Sequence, residues 1–280
     1  MISSDSARAE ALPKLGIIAG GGTAPRRVIE ACRAQKRDHF VICLEGQADP
    51  DVAHDVPHIW LGLGAFGKLR DLASAEKIVE IVMIGRVRRP SLRELKPDWL
   101  AMKVLAKIGF SVLGDDALLR AIGQTIEQEC GVRLIGAQDI LGGALMREGA
   151  LGTVTPDDQA KQDIARGVIV ARALGQVDVG QSVIVQQGLV LGVEAIEGTD
   201  ALIARCADLK REGPGGILVK LAKPQQDDRF DLPTIGPDTI ESATKAGLRG
   251  IAAEAGRSLL LDPDRVRQLA DEAGIFVVGV

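Results

Sequence analysis

The chain has 280 residues, enough for one large domain or two ordinary ones. It carries 34 basic and 38 acidic side chains, a formal charge of −4, and only five Phe, two Trp and no Tyr beside 33 Gly. That composition offers no stacking platform for single strands, no aromatic belt for a bilayer and no basic field for a phosphate backbone, so nucleic acid is excluded as a partner. A hydrophobic fraction of 46% excludes disorder.

Residues 1–14 are polar and lack the basic stretch and apolar core of a signal peptide. Leu15–Ala19 is a short apolar run, expected as a buried parallel strand. It runs into Gly20, Gly21 and Gly22, then a helix with Thr23 as cap and Pro25 in its first turn. His39–Leu44 and Ile59–Leu61 are expected strands, Gly67–Ser74 a helix and Lys77–Ile84 another strand, closed by Gly85. Strand–helix–strand repetition with glycine at strand ends points to an open α/β sheet.

Trp99–Ile108 and Ala117–Cys130 have helical periodicity, the latter capped by Asp115 or Asp116. Arg133–Ile135 is strand-like, with a turn at Gly136. A second α/β half then begins, with Thr155 capping a helix from Pro156 to Leu174. Strands are expected at Ser182–Gln186, Leu189–Ala195, Gly216–Leu221, Gly250–Ala253, Ser258–Leu261 and Ile275–Val278. Helices are expected at Asp200–Asp208, Thr239–Ala246 and from Pro263 to near Gly274. The prediction is therefore two α/β domains: residues 1–134, with an open Rossmann-like sheet, and residues 135–280, a mixed α/β domain carrying the catalytic groups.

Cys32, Cys43, Cys130 and Cys206 are dispersed, form no C-x-x-C pair and are expected as core thiols in the cytoplasm. Val179–Val193 is the longest uncharged stretch, too short and polar to span a bilayer.

Five segments could carry chemistry. Gly20–Gly22 is either a phosphate cradle at a helix start or simply a tight turn. Arg86, Arg88 and Arg89 could grip phosphates or form a solvated basic loop. His54 and His58 with Asp51 and Asp55 would suit a metal on a helix, but Pro50 and Pro57 favour a surface loop. Glu194, Glu197 and Asp200 sit where a strand passes into a helix. They could bind Mg²⁺ through oxygen, or Thr199 or Asp200 could merely cap the helix. The densest segment follows the Gly215–Lys220 strand, where Pro224 and Pro233 stiffen a loop bearing Lys223, Gln226, Asp227, Asp228, Arg229 and Asp231. Cations beside carboxylates suit phosphoryl transfer, the cations offsetting phosphate charge and a carboxylate orienting water.

Taken in order, Leu15–Gly22, Gly114–Leu119, Asp178–Gln181, Val193–Asp200, Gly215–Lys220 and Lys223–Gly236 form a recognisable combination. Through these motifs the chain after Lys14 resembles the bacterial UDP-2,3-diacylglucosamine pyrophosphatases of lipid A biosynthesis, the kind unrelated to calcineurin-like phosphoesterases. The resemblance implies Mg²⁺-dependent hydrolysis of the substrate diphosphate to lipid X (2,3-diacylglucosamine 1-phosphate) and UMP, by two domains that hold the lipid between them. It implies Asp227 as the essential carboxylate, with Asp228 and then Asp231 as alternatives. Lys220, Lys223 and Arg229 are the expected diphosphate cations. Gln226, Thr199 and the Gly20–Gly22 turn are the other expected substrate contacts. Asp227, Glu197 and Asp200 are the expected metal ligands. A homodimer and transient contact with the inner-membrane surface are further expectations. The rival readings are a non-catalytic nucleotide-sugar binding protein, which would not need the carboxylates, and a transferase, which would need an acceptor other than water.

Overall fold

The computed structural model describes residues 12–88, 97–99, 101–102 and 115–280, the side chains of 115 and 116 excepted. Arg89, most of the expected Trp99–Ile108 helix and Gly114 lie outside the described residues. The chain forms two units, whose described residues fall within 12–102 and 121–140 for the first and within 115–120 and 141–280 for the second.

In the first unit, β1 (Leu15–Ala19), β2 (His39–Leu44), β3 (His58–Leu61), β4 (Glu80–Ile84) and β5 (Arg133–Leu134) form one sheet in the order β3-β2-β1-β4-β5. Every pairing is parallel. This is the Rossmann strand order, with its reversal between β1 and β4. The helices are α1 (Ala24–Ala34), α2 (Phe66–Ala75), α3 (Asp115–Cys130), which enters this unit at Ala121, and α4 (Ala137–Leu141). All five residues of β1 are buried, as a central parallel strand covered on both faces requires. The expected strand from Lys77 begins only at Glu80, because Lys77 is left-handed (φ 55°) and ends the preceding turn. Glu80 is 4% exposed and accepts hydrogen bonds from Arg37 and Arg133. Burial alone would raise its pKa, but the two guanidiniums outweigh it and hold the carboxyl below its ordinary value.

The second unit is built on a six-stranded mixed sheet, ordered β6-β13-β11-β9-β7-β8. Its strands are β6 (Gly149–Ala150), β7 (Ser182–Gln186), β8 (Leu189–Val193), β9 (Ile217–Lys220), β11 (Gly250–Ala253) and β13 (Phe276–Gly279). Strands β9, β11 and β13 are parallel, while β7 runs against β9 and β8 against β7. A parallel pair, β10 (Thr234–Ile235) with β12 (Leu259–Leu260), stands apart from it. Helix α5 (Asp158–Gln176) packs on one face with Val183, Val185, Ile217 and Val219. Helices α6 (Thr199–Cys206), α7 (Pro237–Lys245) and α8 (Pro263–Ala273) cover the other face, over Ile184, Leu218 and Ile251. Alternate residues of one strand thus feed two cores, which is why these strands read as unbroken apolar runs.

Three helix starts differ from expectation. Asp157, not Thr155, caps α5, accepting the Ala160 N–H at 2.7 Å. Arg249 grips the same carboxylate, and these bonds pull its pKa down to about 2. Thr23 precedes α1 without a side-chain capping bond, because its own backbone is already helical (φ −77°, ψ −19°) rather than extended as a capping side chain requires; the Asp49 carboxylate accepts the neighbouring Gly22 N–H at 2.8 Å. Gly198, with φ 80°, precedes α6, so neither Thr199 nor Asp200 is its cap. Among the described residues no helix is long and apolar enough to cross a membrane.

Candidate functional site

The first unit places Gly20–Gly22 at its sheet reversal, beside the turn that follows β4. The N–H groups of all three glycines are engaged. Gly20 donates to the Ile84 carbonyl at 2.9 Å, Gly21 to Arg86 at 2.8 Å and Gly22 to Asp49 at 2.8 Å. A Cβ on Gly20 would stand 2.5 Å from the Arg86 carbonyl oxygen, and one on Gly21 2.8 Å from that of Gln47. Here glycine lets two backbones meet, and a phosphate at this turn would have to displace Asp49. Gly20→Ala should cost about 1–3 kcal/mol of stability, the usual penalty of overpacking against something that cannot yield. Urea denaturation checks this: an unchanged midpoint would mean that the Gly85–Arg86 backbone moves aside freely.

The histidine loop binds its own neighbours. His54 Nδ1 lies 3.0 Å from the Asp51 carbonyl, and Asp55 pairs with Arg26 and Arg33. The thiols do not supply a nucleophile either. Burial pushes Cys32, Cys43 and Cys206 up, and Cys130 up to about 11, so all four stay protonated near neutrality.

The second unit gathers charge at one edge. Strand β9 ends in Lys220, which pairs with Ser182 at the start of β7 and Ala253 at the end of β11. Helices α6, α7 and α8 each return towards the opposite edge, so all three begin at this one, with their partial positive ends. The carboxyl edge of the parallel strands is where open α/β sheets take ligands. From Lys220 the chain enters the loop that the sequence singles out. Its start is pinned by Leu221 N–H to the Gln181 carbonyl at 3.0 Å and Ala222 N–H to Glu254 at 2.9 Å. Phe230 and Leu232, 8% and 7% exposed, anchor its far side in the core.

Each charged group of this loop has a distinct place. Asp227 is held by Arg229, whose Nε reaches Oδ1 at 3.0 Å and whose terminal nitrogen reaches Oδ2 at 2.9 Å. That hydrogen-bonded guanidinium keeps the carboxyl below its ordinary range, against a smaller opposing effect of burial. Asp228 is bonded by Arg257 at 2.7 Å. Lys223 is buried, and its Nζ lies 2.6 Å from Asp178. Asp231 is exposed. The Gln226 carboxamide oxygen accepts the Lys223 N–H at 2.9 Å, while its Nε2 is buried without a partner.

Lys220 differs from the other cations. It is only 8% exposed, its Nζ donates to the Thr234 carbonyl at 3.2 Å, and no carboxylate pairs with it among the described residues. A buried ammonium with one neutral partner is costly unless an anion completes it.

The expected metal ligands do not assemble. Glu197 is taken by Arg205 at 2.9 Å and by the Ala195 N–H at 3.1 Å. Asp200 lies in the first turn of α6. Among the described residues no group of three His, Cys, Asp or Glu could hold a metal ion, so Asp227, Glu197 and Asp200 form no shared cage. Mg²⁺ often needs only one or two carboxylates when phosphates complete its shell, and Asp227 or Asp228 would serve as one only by exchanging contacts with Arg229 or Arg257. Thr199 also serves its own unit: it donates to the buried Glu194 at 2.9 Å and lies 3.2 Å from the Ser182 hydroxyl. Sequence reasoning missed Arg257 and Glu254 as site residues. Their signal was position, just after the β11 strand end.

Solved structures show limited likeness. The Bordetella bronchiseptica enzyme WbmG in complex with NAD is 17% identical over 45% of this chain and 37% of that one, with a TM-score of 0.29. CobK precorrin-6A reductase is 15% identical over 95% and 86%, with a TM-score of 0.33. At those scores neither bears on this chain. Sequence likeness is far stronger. The "UDP-2,3-diacylglucosamine pyrophosphatase LpxI" of Caulobacter vibrioides is 42% identical over 274 residues, 95% of this chain and 97% of that protein. The LpxI N-terminal domain model matches residues 14–144 and the LpxI C-terminal domain model residues 147–278. With both domains matched in order, the chain belongs to the LpxI family.

Proposed function

We propose that this protein hydrolyses the diphosphate of UDP-2,3-diacylglucosamine to 2,3-diacylglucosamine 1-phosphate and UMP, with Mg²⁺. Family membership and near full-length likeness to a pyrophosphatase of that name support the reaction class and the substrate. The structural observation that carries the reading is Lys220, a buried cation at the carboxyl edge of the sheet that meets no carboxylate among the described residues.

In this reading the Lys220 ammonium receives a phosphate oxygen and offsets the charge that builds as the bridging P–O bond breaks. Asp227, kept ionised by Arg229, orients the attacking water and accepts its proton. Water adds its oxygen to one phosphorus, and the bridging oxygen leaves with the other. Mg²⁺, held by Asp227 and phosphate oxygens, would offset further negative charge. Glu197 and Asp200 have no part in this scheme.

The test is incubation with UDP-2,3-diacylglucosamine in isotopically labelled water, with and without a chelator. Mg²⁺-dependent release of UMP and the lipid monophosphate, with label in one of them, is the expected result and locates the attacked phosphorus. Binding without release would leave a nucleotide-sugar binding protein instead.

Arg229→Met gives a second check. Without the guanidinium, the Asp227 pKa should climb, with burial left to raise it. A depressed carboxylate stabilises the fold above its ordinary pKa, and the contribution is lost as pH falls through the folded pKa. Removing Arg229 should therefore abolish that contribution and move the acid limb of the kcat/KM profile to higher pH. An acid limb that stays put would mean that Asp227 does not set it.

A further inference from the structure

We propose that Asp178 is a positioning residue for Asp227, acting through Lys223 to lock the catalytic loop onto the C-terminal end of α5. The inference rests on the reading of Asp227 given above.

Three independent contacts converge there. Lys223 Nζ meets Asp178 Oδ1 at 2.6 Å, with the two side chains 10% and 18% exposed, so water screens the pair little. Two residues on, Gln225 Nε2 donates to the Gly175 carbonyl at 2.8 Å, one of the last carbonyls of α5. Between them Pro224 lies over Gly175, where a Cβ would stand 3.0 Å from the proline Cδ and 3.3 Å from the Lys223 Cα. A lysine at a helix C-terminus is also favoured by the helix dipole.

The backbone of Asp178 is built for this contact. Its N–H bonds the Gly175 carbonyl at 3.1 Å, and its φ of 54° is left-handed, a conformation for which Asp and Asn are among the best non-glycine residues. That turn swings the carboxylate from the end of α5 to Lys223. From Lys223 the restraint passes to Asp227 within one turn: Gln226 returns its backbone N–H to the Lys223 carbonyl at 3.0 Å, while its side-chain oxygen accepts the Lys223 N–H at 2.9 Å. Asp227 is the next residue. The buried Lys223 thereby acts as a strut, and Lys220 is left as the cation for the phosphate.

The test uses Asp178→Asn, which suits the left-handed backbone and keeps the side chain's size, together with Lys223→Met. Both should stay folded but melt below the wild-type temperature, because each leaves one member of a buried pair without the other. Hydrogen exchange over residues 222–232 should speed up in both. For UDP-2,3-diacylglucosamine, kcat should fall about 10- to 100-fold with KM little changed, as expected when a reacting group is displaced but binding persists. Wild-type kcat in either variant, or unchanged exchange in this segment, overturns the proposal. Should a variant unfold, Gln225→Ala, which cuts only the second tether, must show the same faster exchange and lower kcat, and its failure to do so is equally decisive. Exchange needs no turnover, so the lock is tested even if Asp227→Asn proves fully active, the result that would refute the underlying reading.

Discussion

Asp227→Asn should lower kcat by about 10³-fold, within the range for loss of a general base or a preorganised charge at a reacting centre. Substrate binding and the melting temperature should stay near wild type, because Asp227 is only half-buried and its main tie is to Arg229, two residues away. The comparison that gives this result meaning is Asp228→Asn. Asp228 is adjacent in sequence, yet its carboxylate is 46% exposed and is bonded by Arg257 rather than Arg229. It should lose less. Single-turnover hydrolysis of UDP-2,3-diacylglucosamine by the two variants checks the order. Undiminished turnover in Asp227→Asn would remove it from the mechanism and leave Asp228 or Asp231.

Lys220→Met should have the second-largest effect, a fall in kcat/KM of about 10²–10³-fold. Its stability should move the other way. Among the described residues Lys220 sets its buried charge against a single carbonyl, so an apolar residue of similar length should leave the melting temperature unchanged or raise it. Activity lost as stability is kept or gained is the mark of a side chain retained for its ligand. A lysine present only to bond Thr234 would give the reverse: a lower melting temperature with kcat/KM intact.

Much of the frame was legible along the chain. His39–Leu44, Ser182–Gln186 and Gly250–Ala253 are strands with the expected ends, because apolar runs bounded by polar or glycine residues have few other ways to bury their backbone. Of the two-residue strands, β5 and β12 fall inside expected runs, but β6 and β10 were not legible. Strands β6 and β10 have two residues each and carry no period of their own; their partners β13 and β12 define them.

The candidate site divides the same way. The loop with Asp227, the lysine ending β9 and the family itself could be read from residue types in order, since local chemistry and motif order are properties of the chain. Which cation serves which carboxylate could not. Lys223, Arg229 and Lys220 look alike in sequence as phosphate ligands, yet Lys223 finds Asp178 45 residues away, Arg229 closes on Asp227 and Lys220, among the described residues, meets the Thr234 carbonyl and no carboxylate. Likewise Glu197 and Asp200 look like metal ligands beside Asp227 until Arg205 takes the first and α6 places the second. The glycine turn that suggested phosphate is packed against Arg86 and capped by Asp49. The sequence alone determined the α/β class, the carboxylate-bearing loop and the family. Only the tertiary structure decided which charges are already neutralised, because ion pairing depends on distances that folding sets between segments remote in the chain.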